Sequence, residues 1–133
     1  MGPSKPVILC VDDERNALML RKMVLERAGF SVMTAGSAAE ALQVISTTPV
    51  DLLLSDQLMP GATGTELARE AKNVHPKLPV VIISGVNEIP PDADAADLFI
   101  SKVEGPVAMC EKISSLLERQ WQNRLSSDFK GNE

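Results

Sequence analysis

Aromatic residues are scarce in this sequence, at 3% of the chain, and tyrosine is missing altogether. A core must therefore be built from aliphatic side chains, and 133 residues with 44% hydrophobic content suffice for one folded domain. No apolar run reaches the roughly 18 residues of a membrane span. The first residues, MGPSKP, lack the apolar segment of a secretory signal. We therefore expect no membrane contact and a cytoplasmic location.

Basic residues and cysteine are also in short supply. Lys and Arg number 13 against 18 Asp and Glu, for a net charge of −5, so the chain lacks the basic surface that nucleic acids require. The two cysteines, Cys10 and Cys110, lie in apolar segments outside any CxxC motif. We expect both to be buried, reduced thiols of a cytosolic protein.

Strand-like and helix-like segments alternate along the chain. This order predicts an α/β fold, a doubly wound five-stranded parallel sheet in the order 2-1-3-4-5 with helices on both faces. We expect the domain to span residues 6–121, between an N-terminal extension, 1–5, and a flexible C-terminal tail, 122–133. The predicted strands are 6–11, 30–35, 50–55, 80–83 and 97–101. The predicted helices are 14–29, 37–45, 63–73 and a last one from Pro106 with an apolar stripe of Cys110, Ile113, Leu117 and Trp121. Capping-box patterns, Ser37 to Glu40 and Thr63 to Glu66, open the second and third of these helices.

The connection between the fourth and fifth strands is short for a crossover. It occupies only part of the segment 84–102 and contains Pro90 and Pro91, which bar a helix through them. We expect the fourth helix to be short or missing, with at most one or two turns around 92–96. The surface that this helix would form is then expected to be truncated and mobile.

Polar side chains follow the predicted strands at the sheet edge where ligands bind in doubly wound folds. The first strand ends in Asp12 and Asp13, the third in Asp56, the fourth in Ser84 and the fifth in Lys102. If the first and third strands are neighbours, three carboxylates converge and repel one another. Mg²⁺ would relieve this repulsion, because it prefers oxygen ligands. With the lysine and the hydroxyl, these groups predict a phosphoryl-transfer site at which a carboxylate attacks in line.

The stretches that carry these residues, ILCVDDE, DLLLSDQLMPGATG, VVIISG and LFISK, resemble the receiver domain of response regulators in two-component signalling. The resemblance runs from about Pro6 to Trp121. It implies that Asp56 accepts a phosphoryl group from a sensor histidine kinase or a histidine phosphotransfer protein. The domain would then switch conformation to control a downstream protein, without being an enzyme that acts on a separate substrate.

The resemblance also implies roles for the surrounding residues. Mg²⁺ would be held by Asp12 and Asp13, mainly Asp13, together with Asp56 and the backbone carbonyl of Leu58. The remaining residues would act on the phosphoryl group or respond to it: Lys102 would pair with Asp56 and then with the phosphoryl group, Ser84 would turn inward to bind it, and Phe99 matches the aromatic switch position of the family.

Two departures from the family pattern affect these expectations. Val103 follows Lys102 where the family usually has proline, which bears on how the lysine approaches the site. Leu58 and Val86 flank the site two residues beyond Asp56 and Ser84, and neither can orient a hydrolytic water. We therefore expect slow intrinsic loss of the phosphoryl group.

Other functions compete with this one. A pseudo-receiver would use the same fold as a protein-binding module without phosphorylation. A Mg²⁺-dependent phosphatase with an aspartate nucleophile usually needs an acid where Leu58 stands, and a nucleotide or flavin module needs a glycine-rich loop where Asp13 to Arg15 stand. His75, which precedes a proline in a loop, is expected to be a surface histidine and not a phosphohistidine.

Overall fold

The computed structural model describes residues 5–85 and 95–131. It confirms the predicted α/β fold, since all strand pairs are parallel and the sheet order is β2-β1-β3-β4-β5. Residues 86–94 of the connection between the fourth and fifth strands lie outside the described residues, and so does most of 92–96, where at most one or two helical turns were predicted. The elements are β1 (Val7–Val11), α1 (Arg15–Arg27), β2 (Ser31–Ala35), α2 (Ala38–Thr47), β3 (Leu52–Asp56), α3 (Gly64–Val74), β4 (Val80–Ser84), β5 (Leu98–Ser101) and α4 (Gly105–Gly131).

Two apolar clusters cover the two faces of the sheet, because successive side chains of a strand point to opposite faces. On one face, α1 and α4 supply Leu18, Leu25 and Ile113, which pack with Cys10 and Leu54. The other cluster joins α2 and α3 to the sheet through Ala41, Ile45, Leu67, Ala68 and Ala71, which pack with Leu9, Val11, Leu53 and Ile82. The inner strands β1, β3 and β4 are therefore apolar on both sides, and their polar residues are confined to the strand ends.

The helices α2 and α3 begin at the predicted capping residues. The Thr63 hydroxyl accepts a hydrogen bond from the Glu66 backbone N–H, and the Glu66 carboxylate accepts one from the Thr63 N–H, which completes a capping box. At α2, the Ser37 hydroxyl caps the Glu40 N–H, but the Glu40 carboxylate accepts from Gly36 and not from Ser37. The predicted box at α2 is therefore shifted by one residue on its acidic side.

The last helix differs from its prediction in length and in its buried face. It continues to Gly131, past the boundary predicted at residue 122, because neither proline nor glycine interrupts it between Pro106 and Gly131. Its buried residues are Met109, Ile113 and Leu116, whereas Trp121, predicted to lie on the apolar stripe, is 60% exposed. The described core contacts of α4 end at Leu117, and Leu125 further along the helix is 50% exposed.

The two cysteines were predicted to be buried, reduced thiols. Both cysteines are free thiols, but only Cys10 is fully buried, and Cys110 is half-buried against the cluster on the α1 and α4 face. The prediction of burial is therefore wrong for Cys110.

Of the helices in the described part of the chain, none has both the length and the apolar character needed to cross a membrane.

Candidate functional site

Asp56 is the last residue of a strand that is buried along its whole length. It is only 4% exposed, and its Oδ1 atom has no partner with hydrogen-bond geometry among the described residues. The Lys102 ammonium lies 3.1 Å from this oxygen, as an ion pair. Burial raises the pKa of Asp56, and the nearby Asp12 raises it further, while Lys102 opposes both effects. The sheet thus holds a partly desolvated carboxylate against a single ammonium group.

Lys102 is positioned by a short turn between β5 and α4. Residues Lys102–Glu104 form one turn of 3₁₀-helix, whose first residue is therefore the lysine. The Ser101 hydroxyl accepts from the Val103 N–H at 3.3 Å, and the Glu104 carboxylate accepts from the Ser101 N–H at 2.7 Å. This capping box replaces the proline of the family pattern, and the S-x-x-E spacing of Ser101 to Glu104 could have predicted it.

Glu104 also ties this turn to the last helix. Its carboxylate pairs with the Lys112 ammonium on α4. This pairing and the hydrogen bond from Ser101 lower the pKa of Glu104. Because Glu104 stays charged at neutral pH, it anchors both the backbone beside Lys102 and the start of α4.

Asp12 has partners within the protein on both of its carboxylate oxygens. Its Oδ2 atom lies 3.1 Å from Nη1 of Arg21 on α1, and its Oδ1 atom accepts from the Glu14 N–H at 3.0 Å. Both side chains of the ion pair are nearly buried, at 6% exposure for Asp12 and 13% for Arg21. The guanidinium also reaches Cys10, whose pKa burial raises to about 11 while Arg21 opposes that shift.

Sequence reasoning missed Arg21. The signal was present, because Arg21 lies three residues after Leu18 and four before Leu25, which are the buried positions of α1. A charged residue on this core-facing stripe requires a buried partner of opposite charge. Asp12 is that partner.

The other predicted residues surround Asp56 at the carboxyl ends of the strands. Asp13 is exposed just after β1, and Leu58 is 56% exposed in the loop after β3. Ser84 ends β4 and is 3% exposed, whereas Phe99 on β5 is half-buried against the cluster on the α2 and α3 face. Val86 lies outside the described residues.

The expected convergence of three carboxylates is not found in the described part of the chain, where no three Asp, Glu, His or Cys side chains are grouped closely enough to hold a metal ion. A magnesium site does not require three, because Mg²⁺ commonly takes one or two carboxylates and completes its shell with water. The solvent-shielded Oδ1 of Asp56, which lacks a hydrogen bond, fits such a site. Asp13 and Leu58 follow the ends of β1 and β3, which are paired strands of the sheet.

Sequence reasoning also missed the close approach of α3 to the end of β3. A Cβ atom on Gly64 would lie 2.6 Å from the Asp56 carbonyl oxygen and 3.2 Å from the Gln57 Cα atom. The Gly64 N–H donates to the Gln57 carbonyl, and the buried Gln57 side chain accepts from both the N–H and the hydroxyl of Thr65. Gly64 therefore lets the start of α3 brace the backbone that carries Asp56.

His75 lies away from the strand ends, after α3. Its ring is exposed, and Nε2 lies 3.1 Å from the Ile45 carbonyl oxygen of α2. This contact joins two neighbouring helices and gives the histidine a structural role at the surface.

Comparison with known proteins identifies the family of the chain. The family model described as response regulator receiver domain matches residues 8–114. The transcriptional regulatory protein GlrR of Escherichia coli K12 is 37% identical over 117 residues, which cover 84% of this chain and 26% of that protein. The response regulator GtcR of Aneurinibacillus migulanus is 34% identical, over 86% of this chain and 49% of GtcR. The chain thus spans between a quarter and a half of these relatives.

Solved structures agree with this family. A receiver domain protein from Methanospirillum hungatei superposes with a TM-score of 0.83 at 31% identity, over 90% of this chain and 99% of that one. TrrA of Thermotoga maritima, solved in complex with Mg²⁺ and BeF, gives a TM-score of 0.79 at 30% identity, over 84% and 98% of the two chains. This chain belongs to the response regulator receiver domains of two-component systems, which are signalling domains and not conventional enzymes.

Proposed function

We propose that this receiver domain accepts a phosphoryl group on Asp56 from a sensor histidine kinase or a histidine phosphotransfer protein. One observation carries the proposal, which is the buried Oδ1 atom of Asp56, paired with the Lys102 ammonium at 3.1 Å and with no other hydrogen-bond donor among the described residues. A carboxylate held in this way is desolvated, and desolvation favours its reaction as a nucleophile. The family membership supports the same role.

The phosphoryl transfer to Asp56 forms one bond and breaks one bond. An Asp56 carboxylate oxygen forms the new P–O bond while the P–N bond of the donor phosphohistidine breaks, and the imidazole leaves and takes up a proton from solvent. Lys102 neutralises charge on the phosphoryl oxygens. Bound Mg²⁺, held by Asp13, Asp56 and the Leu58 carbonyl, with Asp12 as the further predicted acid, would neutralise the rest of that charge. The TrrA complex with Mg²⁺ and BeF supports this metal.

The switch that follows is assigned to Ser84 and Phe99. Ser84 lies at the end of β4, the strand beside Asp56, so its hydroxyl can bind a phosphoryl oxygen once that group is present. Phe99, on the next strand, is only half-buried and can follow this movement without opening the core. The change would then be read by a downstream protein. We propose that this phosphoryl transfer takes place in the cytoplasm. We also propose that the domain itself does not contact nucleic acid.

The surface around Lys102 suits a protein donor. A cavity of about 380 Å³ between α1 and the start of α4 is lined by Leu20, Ile100, Lys102 and Pro106. Leu20 is 63% exposed, and the adjoining Val107 is 71% exposed. Exposed aliphatic side chains beside a reactive lysine supply the apolar contact area with which a docking helix is bound.

The test is phosphorylation by acetyl phosphate and Mg²⁺, read as intact mass. We expect the wild type to gain one phosphoryl mass, and to lose that gain in EDTA or as Asp56→Asn. Asp51→Asn is the matched control, because Asp51 precedes the same strand at its opposite end and should leave the gain intact. A histidine kinase of broad specificity provides a second donor.

Two results would overturn the proposal. If neither donor adds a phosphoryl group to the wild type, the domain does not act as a phosphoacceptor. If Asp56→Asn is phosphorylated as well as the wild type, the acceptor is another residue.

A further inference from the structure

The two aspartates after β1 have different surroundings. Asp13 is exposed, whereas Asp12 is buried and bonded through both oxygens, by Arg21 at 3.1 Å and by the Glu14 N–H at 3.0 Å. These two bonds fix the orientation of the Asp12 carboxylate, and the Arg21 guanidinium cancels its charge. The resemblance to the receiver family, in contrast, implies that both aspartates hold Mg²⁺, mainly Asp13.

Breaking the bond to Arg21 is unfavourable because both partners are nearly buried. The guanidinium is 13% exposed and lies on the core-facing stripe of α1, so releasing Asp12 leaves a cation with little access to water. Nor can Arg21 exchange Asp12 for another buried carboxylate, because Asp56, the other buried acid among the described residues, already lies against Lys102. The Asp12 carboxylate and the Arg21 guanidinium therefore stay paired, and the pair carries no net charge.

We propose that Arg21 is a positioning residue that withholds Asp12 from the metal and so sets a low affinity for Mg²⁺. The inference rests on the proposed function, since it concerns the metal site beside Asp56. Mg²⁺ is then held by Asp13, Asp56 and the Leu58 carbonyl alone. Arg21 cancels the charge of Asp12, which would otherwise attract the cation strongly in this partly desolvated region.

A double-mutant cycle on Mg²⁺ affinity tests the inference without any phosphorylation step. The four proteins are the wild type, Asp12→Asn, Arg21→Met and the double variant, titrated with Mg²⁺ alone by isothermal calorimetry. The double variant retains a neutral pair of similar shape and so should fold even if Arg21→Met, which leaves a buried carboxylate unpaired, does not. Arg27→Met is the matched control, because it removes the same charge from an exposed position on the same helix.

We expect the double variant to bind Mg²⁺ within about twofold of the wild type, because an Asp12–Arg21 pair that stays formed does not contribute to the Mg²⁺ affinity. Arg21→Met should bind about tenfold more tightly or better, because Asp12 becomes free and its charge is no longer cancelled. Asp12→Asn should bind more weakly than the wild type, because Arg21 is then an unpaired cation. Arg27→Met should match the wild type.

A double variant that binds about tenfold more weakly than the wild type would overturn the inference, because Asp12 would then be a ligand despite Arg21. So would a folded Arg21→Met variant with unchanged affinity. In both cases the wild type still binds Mg²⁺, and the proposed phosphoacceptor function stands. If no variant binds Mg²⁺ at all, the metal site of the proposed function fails, and this inference fails with it.

Discussion

Replacing Asp56 by asparagine is expected to increase the free energy of unfolding in the absence of Mg²⁺. The Asp56 side chain is 6% exposed, and its Oδ1 atom is shielded from solvent with only the Lys102 ammonium beside it among the described hydrogen-bond donors. Leaving a buried polar atom without a hydrogen bond costs about 1–3 kcal/mol, and a charged one costs more. Lys102 recovers only part of this cost, because its side chain is 45% exposed and its ion pair is screened by water.

Asparagine keeps a polar atom at this buried position, so the substitution relieves only the extra cost of the charge. The expected gain for Asp56→Asn is therefore about 1 kcal/mol at neutral pH. For a domain of this size such a gain corresponds to an increase in Tm of about 3–5 °C. The assay is urea and thermal unfolding followed by circular dichroism in EDTA. Glu70→Gln, which removes the same charge from an exposed position on α3, is the matched control and should stay within about 0.5 kcal/mol of the wild type.

The pH dependence of this gain follows from the raised pKa of Asp56. The folded protein holds the Asp56 proton more tightly than the unfolded chain, whose ordinary pKa is 3.8. The wild type is therefore not penalised at pH values below 3.8, and it loses stability as the pH rises through the higher pKa of the folded state. The difference between Asp56→Asn and the wild type should accordingly be largest at neutral pH and disappear on acidification.

Two results would refute this reasoning. If Asp56→Asn is less stable than the wild type in EDTA, the carboxylate must contribute favourable interactions that outweigh its burial. If Glu70→Gln stabilises the protein equally, the effect reflects the overall net charge of −5 and not the site.

Three further predictions concern the surroundings of Asp56. Gly64→Ala should cost about 1–3 kcal/mol and slow phosphorylation, because the new Cβ meets the Asp56 carbonyl oxygen at 2.6 Å; the control Gly36→Ala, whose Cβ would meet only the Glu40 carboxylate at 3.7 Å, should do neither. Lys102→Met should raise the pKa of Asp56 further, because the nearby positive charge is lost. In a pH–rate profile with acetyl phosphate, the acid limb of the phosphorylation rate should therefore move to higher pH. An acid limb that does not move would contradict the role of Lys102. The phosphorylated domain, freed of donor and followed by intact mass in Mg²⁺, should lose its phosphoryl group over minutes to hours or longer, since the exposed Leu58 side chain cannot orient a water; a half-life of seconds would show that another group does so.

The sequence pattern alone was sufficient to predict the sheet. Parallel strands that are buried on both faces are continuous apolar runs, which are easily recognised in a sequence. The runs that contain Leu52–Leu54 and Val80–Ile83 are apolar without alternation, and each is followed by a polar residue that the sheet edge brings near the site. Thr63 and Glu66 likewise specify the start of α3 by local hydrogen bonds. These features depend on neighbours in sequence or on the two-residue period of a strand, so they can be predicted from the sequence.

The last helix marks the limit of such local patterns. Its apolar spacing predicted burial of Trp121, yet the core contacts end at Leu117 and Trp121 is 60% exposed. A helical stripe shows which side chains share a face, but the extent of the sheet beneath the helix determines how many of them are covered. The continuation of α4 to Gly131 follows from local helix propensity, which does not depend on an apolar period.

The sequence by itself determined the sheet order, the strand-end positions of Asp12, Asp13, Asp56, Ser84 and Lys102, and the membership of the receiver family. The tertiary structure alone decided how these residues differ from one another. Asp12 is neutralised by Arg21 of α1, whereas Asp56 keeps a buried oxygen beside the Lys102 ammonium. Gly64 braces the strand end from the start of α3. Such distinctions arise from packing between a strand end and the elements around it, where desolvation and the nearest opposite charge determine what each carboxylate can bind.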